Sequence, residues 1–434
     1  MIEKNNNEGF PSIKINNGQS TEQTSSTGEK ALDVLEKGNP VEYVMDQFSK
    51  IHVGDKELGE LLLLSIGCQL CSNTDGLHVN FSGRSGKGKT DACKAMGFLL
   101  PEEYFILGSI SNKALFHMNL KSGTVVLIDD VDSFKEDMEQ LVKSSTSFYQ
   151  SGYKHCYTDL KIKGDSKIRE VMIPPRNTFW LTSVHSSFDT QILNRFVKGD
   201  IDDSFDQDRV VLKSVLKNAV TGEYGFNGNS DVEVCREIFR QLKQKPPCLV
   251  VIPFAEHLDW KNPENRRNPK MFLDLIRASA SLNQYQRNRT VDGYIIANLD
   301  DLFRATRLWD KIERAQSTSL NGEEQRVFDA IVQAGKVGVS NSDLEILCHM
   351  NKGSVSRAIH GKKQSNSDER KGGLKNKVVG LFYDDNAKVW IYDGKTYGQV
   401  TFVGLINYSE EKAQVDGCTR LHTVAAPMQP ISTT

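Results

Sequence analysis

The sequence predicts an α/β core followed by a mostly helical stretch and then by a small block of three helices and a strand pair. Three observations carry this. A glycine-spaced run, NFSGRSGKGKTDACK (80–94), stands between an apolar strand pattern (77–81) and a helical one; TVVLIDDVD (124–132) is an apolar strand tipped by carboxylates; NTFWLTS (177–183) is a third apolar strand ending in hydroxyls.

Taken in order, residues 1–28 are rich in Asn, Ser, Thr and Gly, a composition that predicts disorder. Helical periodicity covers 29–75 with a break near Gly54, the α/β stretch covers 76–205, and a helical pattern covers 206–315. A polar joint leads to a compact block at 322–396, and 409–434 is again loose. No internal repeat is visible. The 434 residues allow roughly three domains. With 38% hydrophobic and 25% charged residues the composition is that of a soluble globular protein. The net charge of −2 means that any contact with nucleic acid must come from local basic patches. LLLLSIGCQLC (61–71) is too short for a membrane span and reads as a buried helix, so no membrane partner is expected. The N-terminus lacks a positive start followed by an apolar block, which predicts a cytoplasmic protein. Cys68 and Cys71, the one close pair among eight cysteines, have no second pair to complete a zinc site and read as reduced core residues.

The run Gly83, Arg84, Ser85, Gly86, Lys87, Gly88, Lys89, Thr90 fits G-x-x-x-x-G-K-[ST] without a gap. Its glycines admit backbone angles closed to other residues, so successive N–H groups can wrap one phosphate, and the following helix adds its positive end. Lys89 then reaches the β- and γ-phosphates of ATP, and Thr90 holds Mg2+ through its hydroxyl. A phosphate loop alone hydrolyses nothing, because the metal needs a carboxylate and the attacking water needs a base. The acid-tipped strand supplies both: Asp129 for magnesium, Asp130 for the water.

The order GRSGKGKT, VVLIDDVD, FWLTS, LNRF and PKMFLDLIRAS (269–279) resembles AAA+ ATPases, most nearly the minichromosome maintenance (MCM) helicase branch and the MCM-like helicases of mobile elements. The resemblance covers about 76–290 and implies an AAA+ core with a helical lid, assembled into a homo-hexamer or other ring. It implies that Thr182 or Ser183, on a strand between the phosphate loop and the acidic strand, senses the γ-phosphate. Arg195 matches the arginine that serves a neighbouring subunit's nucleotide, and the second basic sensor falls on Lys270, with Arg267 one turn earlier as its rival. Two positions depart from the family. Asp130 replaces a glutamate and shortens the base by about one methylene, and the second sensor is lysine instead of arginine; both bear on rate more than on nucleotide binding.

DNA is the expected partner at two places. In KHCYTDLKIKGDSKIREVMI (154–173) a period-two alternation around Gly-Asp predicts a β-hairpin with Lys161, Lys163, Lys167 and Arg169 on one face. The MCM-like branch has a pore hairpin here that grips the DNA backbone, a task for which basic groups give grip without sequence choice. In the last block, EEQRVFDAIVQAG, SNSDLEILCHM (capped by Ser340 or Ser342) and NKGSVSRAIHG read as helices, and the stretch 376–394 as two strands. Together they resemble a winged helix-turn-helix whose third helix offers Lys352, Ser354, Ser356 and Arg357 to a groove. Residues 350–380 hold eight Lys/Arg against two Asp/Glu, the local positive field that the whole chain lacks. The expected function is an ATP-dependent DNA translocase or helicase. The competing one is a nucleotide-gated DNA-binding replication initiator or transcription regulator without unwinding, a reading weakened by the absence of a GAFTGA loop.

Overall fold

The computed structural model of the chain describes residues 20–401, apart from 83–84, 108–119, 132–133, 135, 159–167, 184–189, 200, 203, 222–229, 261–265, 319, 321, 364–369, 372, 379–380 and 393–399. The expected loose ends at 1–19 and 409–434 lie outside these residues.

The three apolar segments become strands because each can be buried on both sides, as a parallel sheet requires. They are β1 (His78–Ser82), β3 (Val125–Ile128) and β6 (Thr178–Ser183), and β2 (Phe105–Leu107) and β7 (Phe196–Gly199) complete the sheet. All five strands are parallel in the order β2-β3-β6-β1-β7, so β6 lies between the strand of the phosphate loop and the acidic strand. Side chains alternate across the sheet. Val79, Phe81, Val125, Leu127 and Trp180 join one core, whereas Val126, Ile128, Phe179 and Leu181 join a second on the opposite face. β4 (Tyr153–Thr158) and β5 (Ile168–Ile173) pair antiparallel apart from the sheet, from Tyr153↔Ile173 to Thr158↔Ile168, and the Gly-Asp turn expected between them lies outside the described residues.

Among the described residues the helices are α1 (Ser20–Lys37), α2 (Pro40–Ile51), α3 (Lys56–Cys68), α4 (Lys89–Phe98), α5 (Glu136–Ser147), α6 (Thr190–Leu193), α7 (Phe205–Thr221), α8 (Ser230–Gln244), α9 (Arg267–Leu282), α10 (Leu299–Thr318), α11 (Gly322–Ala334), α12 (Asn341–Leu347), α13 (Lys352–His360) and a last single turn, α14 (Leu374–Lys377). Two features depart from the sequence reading. Helix α1 begins at Ser20, inside the segment expected to be disordered; its Ala31 and Leu35 are fully buried, and Gln241 of α8 donates to the Gly28 carbonyl at 3.2 Å. Nor are the helices of 29–75 and 206–315 separate units: α1–α3 and α8–α10 share one core with the sheet. Buried charge pairs fasten them, since Glu60 of α3, 1% exposed, accepts from both Arg304 and Arg307 of α10. Such a carboxylate is tolerated in the interior only when paired. Trp180 ties the sheet to the same body by donating to the Ser65 hydroxyl of α3 at 2.8 Å.

The last block has its own core, including Val327, Ile331, Leu344, Val355, Ile359 and Trp390. Ser340 caps α12 and Asn351 caps α13, each side chain accepting from a backbone N–H three residues on. Leu381–Asp384 and Val389–Tyr392 form an antiparallel pair beside the three helices.

Candidate nucleotide-binding site

β1 delivers the glycine-rich run to the C-terminal edge of the sheet, and α4 leaves from it at Lys89. Gly83 and Arg84 lie outside the described residues. Gly86 and Gly88 have φ of 77° and 94°, the left-handed region where a side chain is strained, although neither site is crowded. Consecutive turns of this kind direct N–H groups inward and form an anion nest at a helix N-terminus. Ser85 and Lys87 complete the described turn, and Lys87 pairs with Asp208 of α7 at 2.5 Å. Lys89, the first residue of α4, is 7% exposed.

Register brings the other motifs to the same point. Leu127 pairs with Trp180 and Ile128 with Leu181, so the next residues, Asp129 and Thr182, stand level on the α4 face. Thr90 Oγ1 and Thr182 Oγ1 both donate to Asp129 Oδ1 at 2.5 Å. The Asp130 and Val131 N–H groups donate to the Thr182 hydroxyl and carbonyl, each at 2.9 Å. Asp130 itself has φ 52°, which turns its exposed carboxylate away from the strand. Of the two sensor candidates, Thr182 meets Asp129, whereas Ser183 faces the opposite core with its Oγ buried and without a hydrogen-bond partner. A hydroxyl and a carboxylate sharing a contact beside an anion nest are the hard oxygen donors that magnesium takes, its remaining positions being filled by phosphate and water. The residues present therefore fit a magnesium nucleotide.

One part of the site gave no signal in the sequence. His52, between α2 and α3 and 5% exposed, holds Asp91 of α4 through Nδ1 and Asp55 through Nε2, both at 2.9 Å. A Cβ on Gly88 would come within 3.5 Å of its ring. Asp55, itself at φ 49°, also accepts from the Asp202 N–H at 2.9 Å. The clamp thus fixes the start of α4 against the α2–α3 turn. Burial disfavours charge on His52, but hydrogen bonds from Asp55 and Asp91 outweigh it and raise the pKa to about 9. The folded value is above the unfolded one of about 6.5, so the clamp's contribution is full below that pH and is lost as pH rises through 9. Thermal melts from pH 6.5 to 9.5 are expected to show a fall of a few degrees beyond that of His52→Gln; equal slopes in the two proteins would contradict it.

The remaining cations lie at the other edge of the sheet. Arg195 immediately precedes β7, whose Phe196 pairs with His78 at the start of β1. Its Nη1 donates to Ser147 of α5 at 2.5 Å while its Nε is buried without a hydrogen-bond partner. Burial, with Arg267 adding repulsion, holds the Arg195 pKa below the ordinary guanidinium value. Lys270 pairs with Asp75, just ahead of β1, at 3.0 Å with both side chains mostly exposed. Of the two second-sensor candidates, Arg267 is thus the neighbour of Arg195. Strands of this length separate the two edges by roughly 15 Å, beyond the reach of one side chain.

The expected DNA contacts fare unevenly. Lys161, Lys163 and Lys167 lie outside the described residues, and Arg169 stands in β5 opposite Tyr157. On α13, Lys352 and Arg357 are exposed and Ser356 half-buried. Ser354 is buried at 7% and accepts from Arg357 at 3.0 Å, which makes it a support for the arginine and corrects its assignment to a groove-facing position. Among the described residues no helix is long and apolar enough to cross a membrane.

Comparison with known proteins agrees with this geometry. The family profile described as the MTBMA_p00010 P-loop domain matches residues 25–245, just over half of the chain. The uncharacterized protein MTBMA_p00010 of Methanothermobacter marburgensis is 25% identical over 316 residues, which cover 70% of this chain. The chain spans only 38% of that relative's length.

Proposed function

We propose that this chain, which belongs to the MTBMA_p00010 P-loop domain family, is a ring-forming ATPase that moves along DNA and separates its strands, as the MCM-like AAA+ helicases that its motifs resemble do. The single observation that carries the proposal is the division of the site: Thr90, Asp129 and Thr182 meet at one edge of the sheet, and Arg195 with Arg267 stands at the other. A subunit so built is completed by a neighbour whose arginines face its nucleotide. The position of β6 between β1 and β3, as in ring ATPases, supports the same reading.

In this mechanism the glycine-rich turn and Lys89 bind the phosphates of ATP, and Thr90 with Asp129 would hold magnesium, which would screen the phosphate charge. Asp130 accepts a proton from the water that attacks the γ-phosphorus, while the bond to the β-phosphate oxygen breaks. Thr182 keeps Asp129 aimed, and the neighbour's Arg195 stabilises the charge of the transferred group. The β4–β5 hairpin and α13 would supply the grip on DNA. Asp130→Asn is accordingly expected to retain ATP and lose about 10²–10⁴-fold in turnover, whereas Asp130→Glu, with its longer reach, keeps or raises the rate. Unchanged hydrolysis in Asp130→Asn would assign the base to another residue.

Strand displacement on forked DNA, with ATP and with a non-hydrolysable analogue, tests the whole. Displacement only with ATP is the expected result. A protein that hydrolyses ATP and binds the fork without separating it would be the nucleotide-gated initiator or regulator, a reading that the separately cored block with its exposed Lys352 and Arg357 also suits.

A further inference from the structure

Helix α7 carries an apolar face that, among the described residues, is largely uncovered: Phe205 at its start meets the His349 ring at 6.3 Å, and the rest stands in water. At 100° per residue Phe205, Val211, Leu212, Val215, Leu216 and Val220 fall on one half of the helix, interrupted in the first turn by Asp208 and Arg209, and Lys213, Ser214, Lys217 and Asn218 fall on the other with Val210. Phe205, Leu212, Val215 and Leu216 are each 57–61% exposed and Val220 is 88% exposed. With Val211 they leave roughly 600 Å² of apolar side chain in water, at the top of the range of about 300–600 Å² for the largest patch on a typical monomer, and most of one partner's share of a standard interface, about 800 Å².

The helix also stands where a neighbour is needed. Its first turn is fastened to the phosphate loop by Lys87–Asp208 and to the α2–α3 turn by Gln207, which donates to the Val53 carbonyl at 2.6 Å. Whatever covers α7 therefore sits beside the nucleotide edge of the sheet, the edge that its own Arg195 cannot reach. A second copy arriving head to tail meets both requirements, since it buries the apolar face and presents its opposite edge to the nucleotide. Such a heterologous contact closes into a ring when its rotation permits.

We propose that the apolar face of α7 is one half of the subunit interface, covered by the edge of a second copy that carries Arg195 and Arg267. The proposal rests on the ring reading above. Its test uses the full chain: sedimentation velocity with a non-hydrolysable ATP analogue on the parent, on Leu212→Glu/Leu216→Glu and on the opposite-face control Lys213→Glu, with fluorescent-nucleotide binding and a thermal melt to show that each folds. The parent and Lys213→Glu assemble; the double variant binds nucleotide with parental affinity, needs at least tenfold more protein to assemble, and loses turnover in proportion. Should the double variant not fold, Leu212→Ser/Leu216→Ser replaces it. A nucleotide-binding double variant that assembles like the parent overturns the α7 interface and leaves the ring reading standing. A parent that stays monomeric at every concentration overturns both. Flotation of the parent, but not of the double variant, with vesicles of phosphatidylcholine and phosphatidylserine would give this face to a lipid surface and overturn the proposal.

Discussion

Lys89→Ala is expected to reduce ATP turnover on the order of 10³-fold, as the loss of a preorganised cation from a water-poor site does. Lys89 is the first residue of α4 and 7% exposed, so its ammonium is held at the helix end beside the glycine turns. The fold should survive, because the sheet and its two cores are built from apolar side chains, those of α4 included, and Lys89 is not one of them. Turnover by purified protein and a melting curve, taken together, check this. A variant that hydrolyses ATP at the parental rate would end the account of the nucleotide site.

Arg195→Ala is expected to cost turnover about 10³-fold or more, the contribution of an arginine that meets the transferring phosphoryl group. The loss should fall on kcat, with nucleotide affinity nearly unchanged, because Arg195 stands at the far edge from its own subunit's Thr90 and Asp129. A structural role is separable. Arg195 is tethered to the Ser147 hydroxyl, so Ser147→Ala removes the tether and keeps the guanidinium. Ser147→Ala should retain most turnover; if it is as inactive as Arg195→Ala, the arginine acts by holding α5.

Elements that depend on neighbours in sequence were legible. The glycine run, the apolar strand ending at Asp129 and the strand ending at Thr182 each carry their signal within a few residues, and parallel pairing brings their tips together. Which of Thr182 and Ser183 meets Asp129 was not legible, because it depends on which face of β6 packs against α4. Nor were the surroundings of Arg267 and Lys270, which are set by the distant Arg195 and Asp75. The His52 clamp spans 39 positions to Asp91, and the Glu60–Arg304 pair 244; neither leaves a periodic trace. That pair is part of what merges the N-terminal helices with those of 206–315, which composition and periodicity divide. Burial of Ser354 similarly follows from its place in the first turn of α13, where Asn351 caps its N–H.

The most direct test of the central claim, that each nucleotide is hydrolysed between two subunits, is ATP turnover of mixed rings. Lys89→Ala subunits lack a working phosphate loop but keep Arg195; Arg195→Ala subunits have the reverse. Each alone should be inactive. Mixed in equal amounts, with mixed rings verified by native mass spectrometry, they should recover turnover at the interfaces that join an intact loop to an intact arginine, roughly a quarter of the parental rate if subunits assort at random and sites act independently. No recovery in verified mixed rings would contradict the claim and place Arg195 in the service of its own subunit.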